Sequence, residues 1–453
     1  MGHWAYDSIF YHIYPLGFCG APPENDFCSP PNHRLDLIYE WLGHLQNLGV
    51  NSLYLGPLFE SSAHGYDTAD YFQVDRRLGN NEILSRLSAV LHQKNIRLVL
   101  DGVFNHVGRD FWAFRDVLKN HRQSAYGDWF QGLDFHKRSP YNDPFTYESW
   151  NGHHNLVKLN LRNPAVRDHL FQAVDLWIRE FAVDGLRLDV ADCLDLTFLK
   201  ELSAFCKSRR PDFWLMGEVI HGDYRKWANS ETLDSVTNYV GYKGLYSSHV
   251  DRNYFELAHT MNRQFGEKGV YQDLLFYSFA DNHDVNRVAS QLKNPAHLYP
   301  LYSLLFTLPG IPSIYYGSEW GIEGKRTSRS DQSLRPCLDY SRISQNSPHP
   351  DLSVVISRLA QIRHRSPALR YGNYRPLLVK SEQLAFARQT QEECVIVAVN
   401  AADKPVPVEL PVPVSGKKQL IDLLNQGDHF PIHKGKGRIP ALNPCWARIM
   451  TVH

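Results

Sequence analysis

The 453 residues carry 48 basic and 48 acidic side chains, with no long like-charge block, which excludes a nucleic-acid or anionic-membrane footprint and favours a neutral partner. The length exceeds one ordinary domain and suits a barrel of about 250 to 400 residues with a smaller appended unit. No run approaches the ~20 apolar residues of a membrane helix. Short β-rich runs alternate with helical periods, the pattern of β/α units. Residues 9–14 predict the first strand, and the stretch from Leu35 a helix with Leu42, Leu45 and Leu48 on one side. Residues 52–55 predict a second strand. Ile83, Leu84, Leu87, Val90 and Leu91 mark the inner face of the next helix, and residues 96–103 a third strand.

Residues 107–159, rich in Trp, Tyr, His, Asn and Gly, read as an irregular subdomain inserted after the third strand. Asn163 and Pro164 supply an N-cap and a first-turn proline ahead of Val166, Leu170, Val174, Trp177 and Phe181. Beyond a last helix near residues 352–364, alternating strands such as 384–388 and 395–400 with Pro-rich turns indicate a small β-sandwich. The expected fold class is α/β. It is a (β/α)8 TIM barrel over residues 1–106 and 160–368, an inserted subdomain at 107–159 and a C-terminal antiparallel β-sandwich at 369–453.

Three acids follow strand-like runs: Asp189 in Gly185-Leu-Arg-Leu-Asp-Val190, Glu218 in Gly217-Glu-Val219 and Asp284 in Phe279-Ala-Asp-Asn-His-Asp284. One strand-helix-strand unit takes roughly 30 residues. Asp189 and Glu218 are 29 positions apart and Glu218 and Asp284 66, which assigns them to the ends of the fourth, fifth and seventh strands. In a parallel barrel those ends form the active face. A lone acid is usually a salt bridge or a cap, but three acids accompanied by Arg187, His106 and His283 point to chemistry. Arg187 and Asp189 are two apart and face one side of a strand, so the guanidinium is expected to keep the carboxylate ionised, as a nucleophile requires. Glycoside cleavage needs such a nucleophile and a protonated partner. Asp189 fits the first role and Glu218 the second, its proton kept by a nearby negative charge, with Asp284 and His283 holding ring hydroxyls.

Those strings, with Asp101-Gly-Val-Phe-Asn-His106, resemble the four signature regions of the α-amylase family of glycoside hydrolases, in the family's order. His64-Gly-Tyr-Asp-Thr68 and Gly310-Ile-Pro-Ser-Ile-Tyr-Tyr-Gly317 match as well. The resemblance implies Asp189 as nucleophile, Glu218 as acid/base and Asp284 as transition-state stabiliser in a retaining reaction on α-linked glucose. It also implies that His106, Arg187 and His283 contact the catalytic groups or the sugar and that Tyr66 stacks on that sugar, with His64 and Asp101 serving the same loops. The strings Phe111-Trp-Ala-Phe-Arg-Asp-Val-Leu-Lys-Asn120, Asp128-Trp-Phe130 and Val157-Lys-Leu-Asn160 are similar to the neopullulanase, cyclomaltodextrinase and maltogenic amylase branch, which cleaves small maltodextrins.

The first strand begins almost at Met1, so the branch's amino-terminal β-domain is expected to be lacking and its dimer is not carried over. Ser318, and Asp192 with Cys193, depart from residues common in relatives. Many members use the Asn matching Asn105 in a structural calcium site. One ligand does not make a site, so Asn105 is expected to hydrogen-bond its loop and no cofactor is required. Residues 1–14 lack a secretory signal. Seven scattered cysteines without metal spacing fit reduced thiols in a cytoplasm, Cys19 and Cys28 being the pair a loop could join. The expectation is a cytoplasmic hydrolase of α-glucan oligosaccharides, with α-1,4 bonds as its first linkage and α-1,6 bonds as a second. The alternatives are a transglycosylase, or a sugar-binding relative without catalysis.

Overall fold

The computed structural model describes residues 3–328, 330–425 and 427–453. Among these, eight parallel strands close a barrel in sequence order. They are β1 (Phe10–Ile13), β2 (Ser52–Leu55), β3 (Arg97–Gly102), β4 (Gly185–Leu188), β5 (Trp214–Gly217), β6 (Ser235–Thr237), β7 (Leu275–Phe279) and β8 (Ile311–Tyr315). The acids therefore follow the fourth, fifth and seventh strands, as their spacing implied. Strands buried on both faces read as nearly continuous apolar runs, and Phe10, Val99, Trp214, Met216, Phe279 and Ile311 fill the barrel.

The helices α1 (Leu37–Leu48), α2 (Asn81–Gln93) and α3 (Pro164–Glu180) form where the apolar period falls. Gly49 ends α1 at φ 79°, a left-handed cap that a side chain would strain. Asn80 caps α2 by accepting from Ile83 N, and Asn163 caps α3 by accepting from Ala165 N. Trp177 of α3 stacks on Phe59 at 4.2 Å and donates to the Tyr71 carbonyl at 2.9 Å. That seats the helix against the loop before β3.

The stretch after β3 is less irregular than its composition predicts. It holds a helix, Trp112–Asn120, and a three-stranded antiparallel sheet of His106–Gly108, His153–Lys158 and Ser149–Trp150. Strands this short show no sequence period. The sheet pairs His106 with Lys158, so the end of β3 and the inserted hairpin share one wall.

Beyond Tyr371 the described residues form eight antiparallel strands, from Asn373–Val379 to Trp446–Val452. In the strand Cys394–Asn400, Val395, Val397 and Val399 pack toward the barrel core, while Ile396 and Ala398 face a second core with Leu410, Leu420 and Ile439. Both faces are covered, which explains its unbroken apolar run. The strand His429–His433 pairs through its first residues with Gln419–Asp422 and through its last with Lys436–Leu442, so one continuous sheet folds over that core. No helix among the described residues is long and apolar enough to cross a membrane. All seven cysteines are unpaired, Cys19 being buried and Cys28 exposed.

Candidate active site

Register places Arg187 of β4 beside Asp101 of β3 and Met216 of β5, at the carboxyl end of the barrel. Its side chain is only 4% exposed. Nη1 donates to both Asp101 oxygens at 2.8 and 3.1 Å and to Asp189 Oδ1 at 2.8 Å. Nη2 lies 2.7 Å from Glu218 Oε2. One buried cation thus faces three buried carboxylates.

Burial pushes the Asp189 carboxyl well above the usual range, Arg187 pulls it back, and Glu218 and Asp101 push it further up. This corrects the expectation that Arg187 keeps Asp189 ionised. A single guanidinium shared three ways does not offset desolvation plus two like charges.

The turn after Asp189 is strained. Val190 sits at φ 40° and ψ 49°, a left-handed conformation that is costly for a β-branched residue. It turns Val190 N toward Glu218 Oε2 at 3.2 Å, while Ala191 N donates to the Glu218 carbonyl at 2.9 Å. Gly217 makes the approach of the two strand ends possible, because a Cβ there would meet Leu233 at 2.4 Å and Ala191 at 2.7 Å. The other Glu218 oxygen accepts from Tyr239 Oη at 3.0 Å, and Asn282 Nδ2 donates to that hydroxyl at 3.2 Å.

Asn282 also shapes the turn beyond β7, its Oδ1 accepting from Asp284 N at 2.8 Å and Val285 N at 3.2 Å. Asp284 Oδ2 lies 2.9 Å from His283 Nε2 and Oδ1 lies 3.2 Å from Arg335 Nη2. Burial alone would raise the Asp284 carboxyl, but His283 and Arg335 outweigh it and hold the group below the usual carboxylate range. The side chain is 34% exposed to the cavity, so solvent screens part of this effect.

His283 lies nearly parallel to two neighbouring rings, Tyr14 at 5.7 Å and Tyr66 at 5.5 Å. The Tyr66 hydroxyl bonds His283 Nε2 and lies 3.2 Å from Asp101 Oδ2. His106 is buried, with Nε2 3.9 Å from Asp189 Oδ2. Burial lowers it to about 3, so the imidazole is neutral and the contact is not an ion pair. Asn105 Nδ2 meets His106 Nδ1 at 3.1 Å, and the Asn105 carbonyl accepts from Leu159 N. That amide is engaged by the neighbouring ring, and among the described residues no group of three or more His, Cys, Asp or Glu is placed to hold a metal ion.

These groups open into a cavity of about 770 Å3, within the size of small-molecule sites. His64, Tyr66, His106, Asp189, Glu218 and Asp284 line its floor and sides. Trp150 and His153 of the inserted hairpin form one wall, and Arg326, Asp331 and Arg335 after β8 another. Asp101 and Arg187 lie beneath it in the shared ion cluster. Every site residue expected from the sequence is thus gathered at one mouth. Tyr239 and the strained Val190 were not expected, nor were Arg335 and Asp331, whose side chains pair at 2.9 Å. The spacing Asp331-x-x-x-Arg335 was the one available signal for that pair. Tyr239 follows a strand of three residues that carries no motif.

The family of the α-amylase catalytic domain matches residues 13–347, and that of the maltogenic amylase C-terminal domain residues 375–444. A cyclomaltodextrinase of a Bacillus species is 31% identical over 420 residues, 88% of this chain and 73% of that protein. Neopullulanase 2 of Thermoactinomyces vulgaris is 32% identical over an alignment of 461 positions that covers 96% of this chain and 76% of that one. The solved structure of cyclic α-maltosyl-(1→6)-maltose hydrolase from Arthrobacter globiformis matches with a TM-score of 0.83 at 27% identity, covering 100% of this chain and 99% of that one.

Proposed function

The chain belongs to the α-amylase family of glycoside hydrolases, and on that premise we propose that it hydrolyses α-glucan oligosaccharides with retention, through a covalent glycosyl-enzyme. The observation that carries this reading is the convergence of Asp189, Glu218 and Asp284 on one cavity at the barrel's carboxyl end, with Arg187 bonded to the first two.

In this reading Asp189 attacks the anomeric carbon while Glu218 protonates the departing oxygen, and water activated by Glu218 then releases the sugar from Asp189. The mechanism requires Glu218 to carry the proton when the bond breaks. An arriving glycosidic oxygen gives it an acceptor there, and positive charge developing on the sugar favours ionised Asp189. Arg187 stays bonded to both carboxylates throughout. Asp284, already ionised beside His283 and Arg335, accepts from ring hydroxyls, and neutral His106 offers Nε2 to another hydroxyl. Tyr66 supplies the ring on which the sugar stacks.

The names of the relatives, a cyclomaltodextrinase, a neopullulanase and a hydrolase of a cyclic α-1,6-containing maltooligosaccharide, support short linear, cyclic or branched maltodextrins cut at α-1,4 and α-1,6 bonds. In this reading the carboxylates carry every step and no cofactor is required. Seven unpaired thiols support a cytoplasmic site of action. A product profile over linear maltodextrins, cyclodextrins and α-1,6-branched glucosides, with and without added glucose, tests the reading. Hydrolysis products are expected without acceptor. Intact substrates throughout would end the hydrolase reading, and predominantly lengthened products would make the protein a transglycosylase.

A further inference from the structure

We propose that Tyr315 and Tyr316 are positioning residues for Asp284: their hydroxyls hold the backbone on either side of Arg335, and Arg335 carries that placement to the carboxylate. The inference rests on the role given to Asp284 above and deepens it. It assigns a task to the tyrosine pair of Gly310-Ile-Pro-Ser-Ile-Tyr-Tyr-Gly317, which the chemistry of the site leaves unused.

Both tyrosines are buried, and neither is among the described residues that line the cavity. A buried phenolic hydroxyl needs a partner, and each finds one in the loop after β8. Tyr315 Oη donates to the Leu334 carbonyl at 3.0 Å and Tyr316 Oη to the Pro336 carbonyl at 2.9 Å. The two acceptors flank Arg335. Arg287, fully buried, lies over both tyrosine rings with its guanidinium carbon 4.0 and 4.9 Å from their centres. Its Nη2 adds a bond to the Leu334 carbonyl at 2.9 Å, and its Nη1 donates to the Tyr316 carbonyl at 2.6 Å. The loop is thereby tied to the end of β8 just before and just after Arg335.

Arg335 also has a stop behind it. The short helix Pro15–Phe18 brings Gly17 so close that a Cβ there would meet the Arg335 carbonyl oxygen at 2.3 Å and the Arg335 Cβ at 2.8 Å. From this fixed root the side chain, 11% exposed, donates through Nε to the His283 carbonyl at 3.1 Å and through Nη1 to Tyr14 Oη at 3.4 Å, while Nη2 lies 3.2 Å from Asp284 Oδ1. One guanidinium fixes both the turn that carries Asp284 and the carboxylate itself. A side chain this long delivers its fork accurately only when its backbone does not move.

The two hydroxyls are not equivalent. The Leu334 carbonyl keeps the Arg287 bond when Tyr315 becomes phenylalanine, whereas the Pro336 carbonyl is held by Tyr316. Y316F is therefore the larger lesion, although it keeps the ring and its packing.

Steady-state kinetics of wild type, Y315F, Y316F, R335Q and the double variant Y316F/R335Q on a maltooligosaccharide test this. Nitrogen NMR of hydrogen exchange at Arg335 Nε, a signal that R335Q identifies by its loss, supplies a readout independent of turnover. kcat is expected to fall about tenfold in Y316F and about threefold in Y315F with little change in KM. Y316F should cost nothing further once Arg335 is gone, and its Arg335 Nε proton should exchange about tenfold faster than in wild type. An equal loss of kcat with and without Arg335, or unchanged exchange at Nε, would make the tyrosines scaffold alone and overturn the assignment. Should Y316F not fold, Y315F carries the same cycle with R335Q, since Arg287 still holds the Leu334 carbonyl. Wild type inactive on every α-glucan would defeat the hydrolase reading instead, and the exchange arm still decides the role of the tyrosines.

Discussion

Arg187 Nη1 bonds Asp189 Oδ1 at 2.8 Å although the two residues share one strand and stand two positions apart. The geometry follows from the strand period, and the neighbouring strands make it consequential by adding Asp101 and Glu218 to the same guanidinium. The cation fixes the rotamers of both candidate catalytic carboxylates.

Arg187→Lys should therefore lower kcat about a hundredfold or more, because an ammonium lacks the fork that reaches three acceptors. Arg187→Met leaves three buried carboxylates without a cation and should destabilise the fold by about 3 to 5 kcal/mol. Steady-state kinetics and urea unfolding check the two effects. Wild-type turnover in the Lys variant would remove the shared guanidinium from the account.

The Tyr239 hydroxyl orients Glu218 and is itself fixed by Asn282. Tyr239→Phe keeps the ring and removes the bond, so kcat is expected to fall about tenfold with a smaller change in KM. A pure KM effect would instead make Tyr239 a substrate contact alone.

Asp284 is held below the usual carboxylate range because His283 and Arg335 outweigh its burial. Removing Arg335 weakens that hold and raises the Asp284 pKa. Arg335→Gln should therefore raise the titration midpoint of the Asp284 carboxyl, followed by carbon NMR of the labelled side chain. A midpoint that stays in place or moves lower would contradict this electrostatic role.

Burial holds His106 and His249 at about 3, whereas an unfolded histidine titrates near 6.5. Below that value the unfolded chain binds protons that the folded chain does not. Their contribution is complete above pH ~6.5 and is lost as the pH falls toward ~3, by ~1.4 kcal/mol per pH unit for each group. The raised carboxyl of Asp189 acts in the opposite sense, its share being lost as pH rises. Burial lowers His3, His12 and His169 as well and raises Asp70 and Asp281, so five histidines stand against three acids and Tm should fall between pH 6.5 and 4. A Tm that is level or rises on acidification would contradict the buried neutral imidazoles.

The barrel and its acids were legible because each acid follows an apolar run and the runs are spaced by one or two β/α units. Asp189, Glu218 and Asp284 lie where that spacing implied. The strand at 235–237 was implied only by the 66-residue gap, since three residues carry no period, and Tyr239 beyond it was invisible for the same reason. Val190 reads as an ordinary strand residue, and its left-handed turn exists only because β4 and β5 bring Asp189 and Glu218 together. The raised Asp189 carboxyl was not legible because two residues on one strand suggested a private ion pair, while the partners that share Arg187 come from other strands. Arg326, Asp331 and Arg335 lie in a loop whose contacts depend on its path across the cavity.

The most direct measurement follows the anomeric protons by NMR in the first turnovers on a maltooligosaccharide, before mutarotation. The account predicts that the α-anomer forms first, as two displacements at one carbon with Asp189 as the intermediate nucleophile require. First formation of the β-anomer would mean a single displacement by water and would contradict the role given to Asp189.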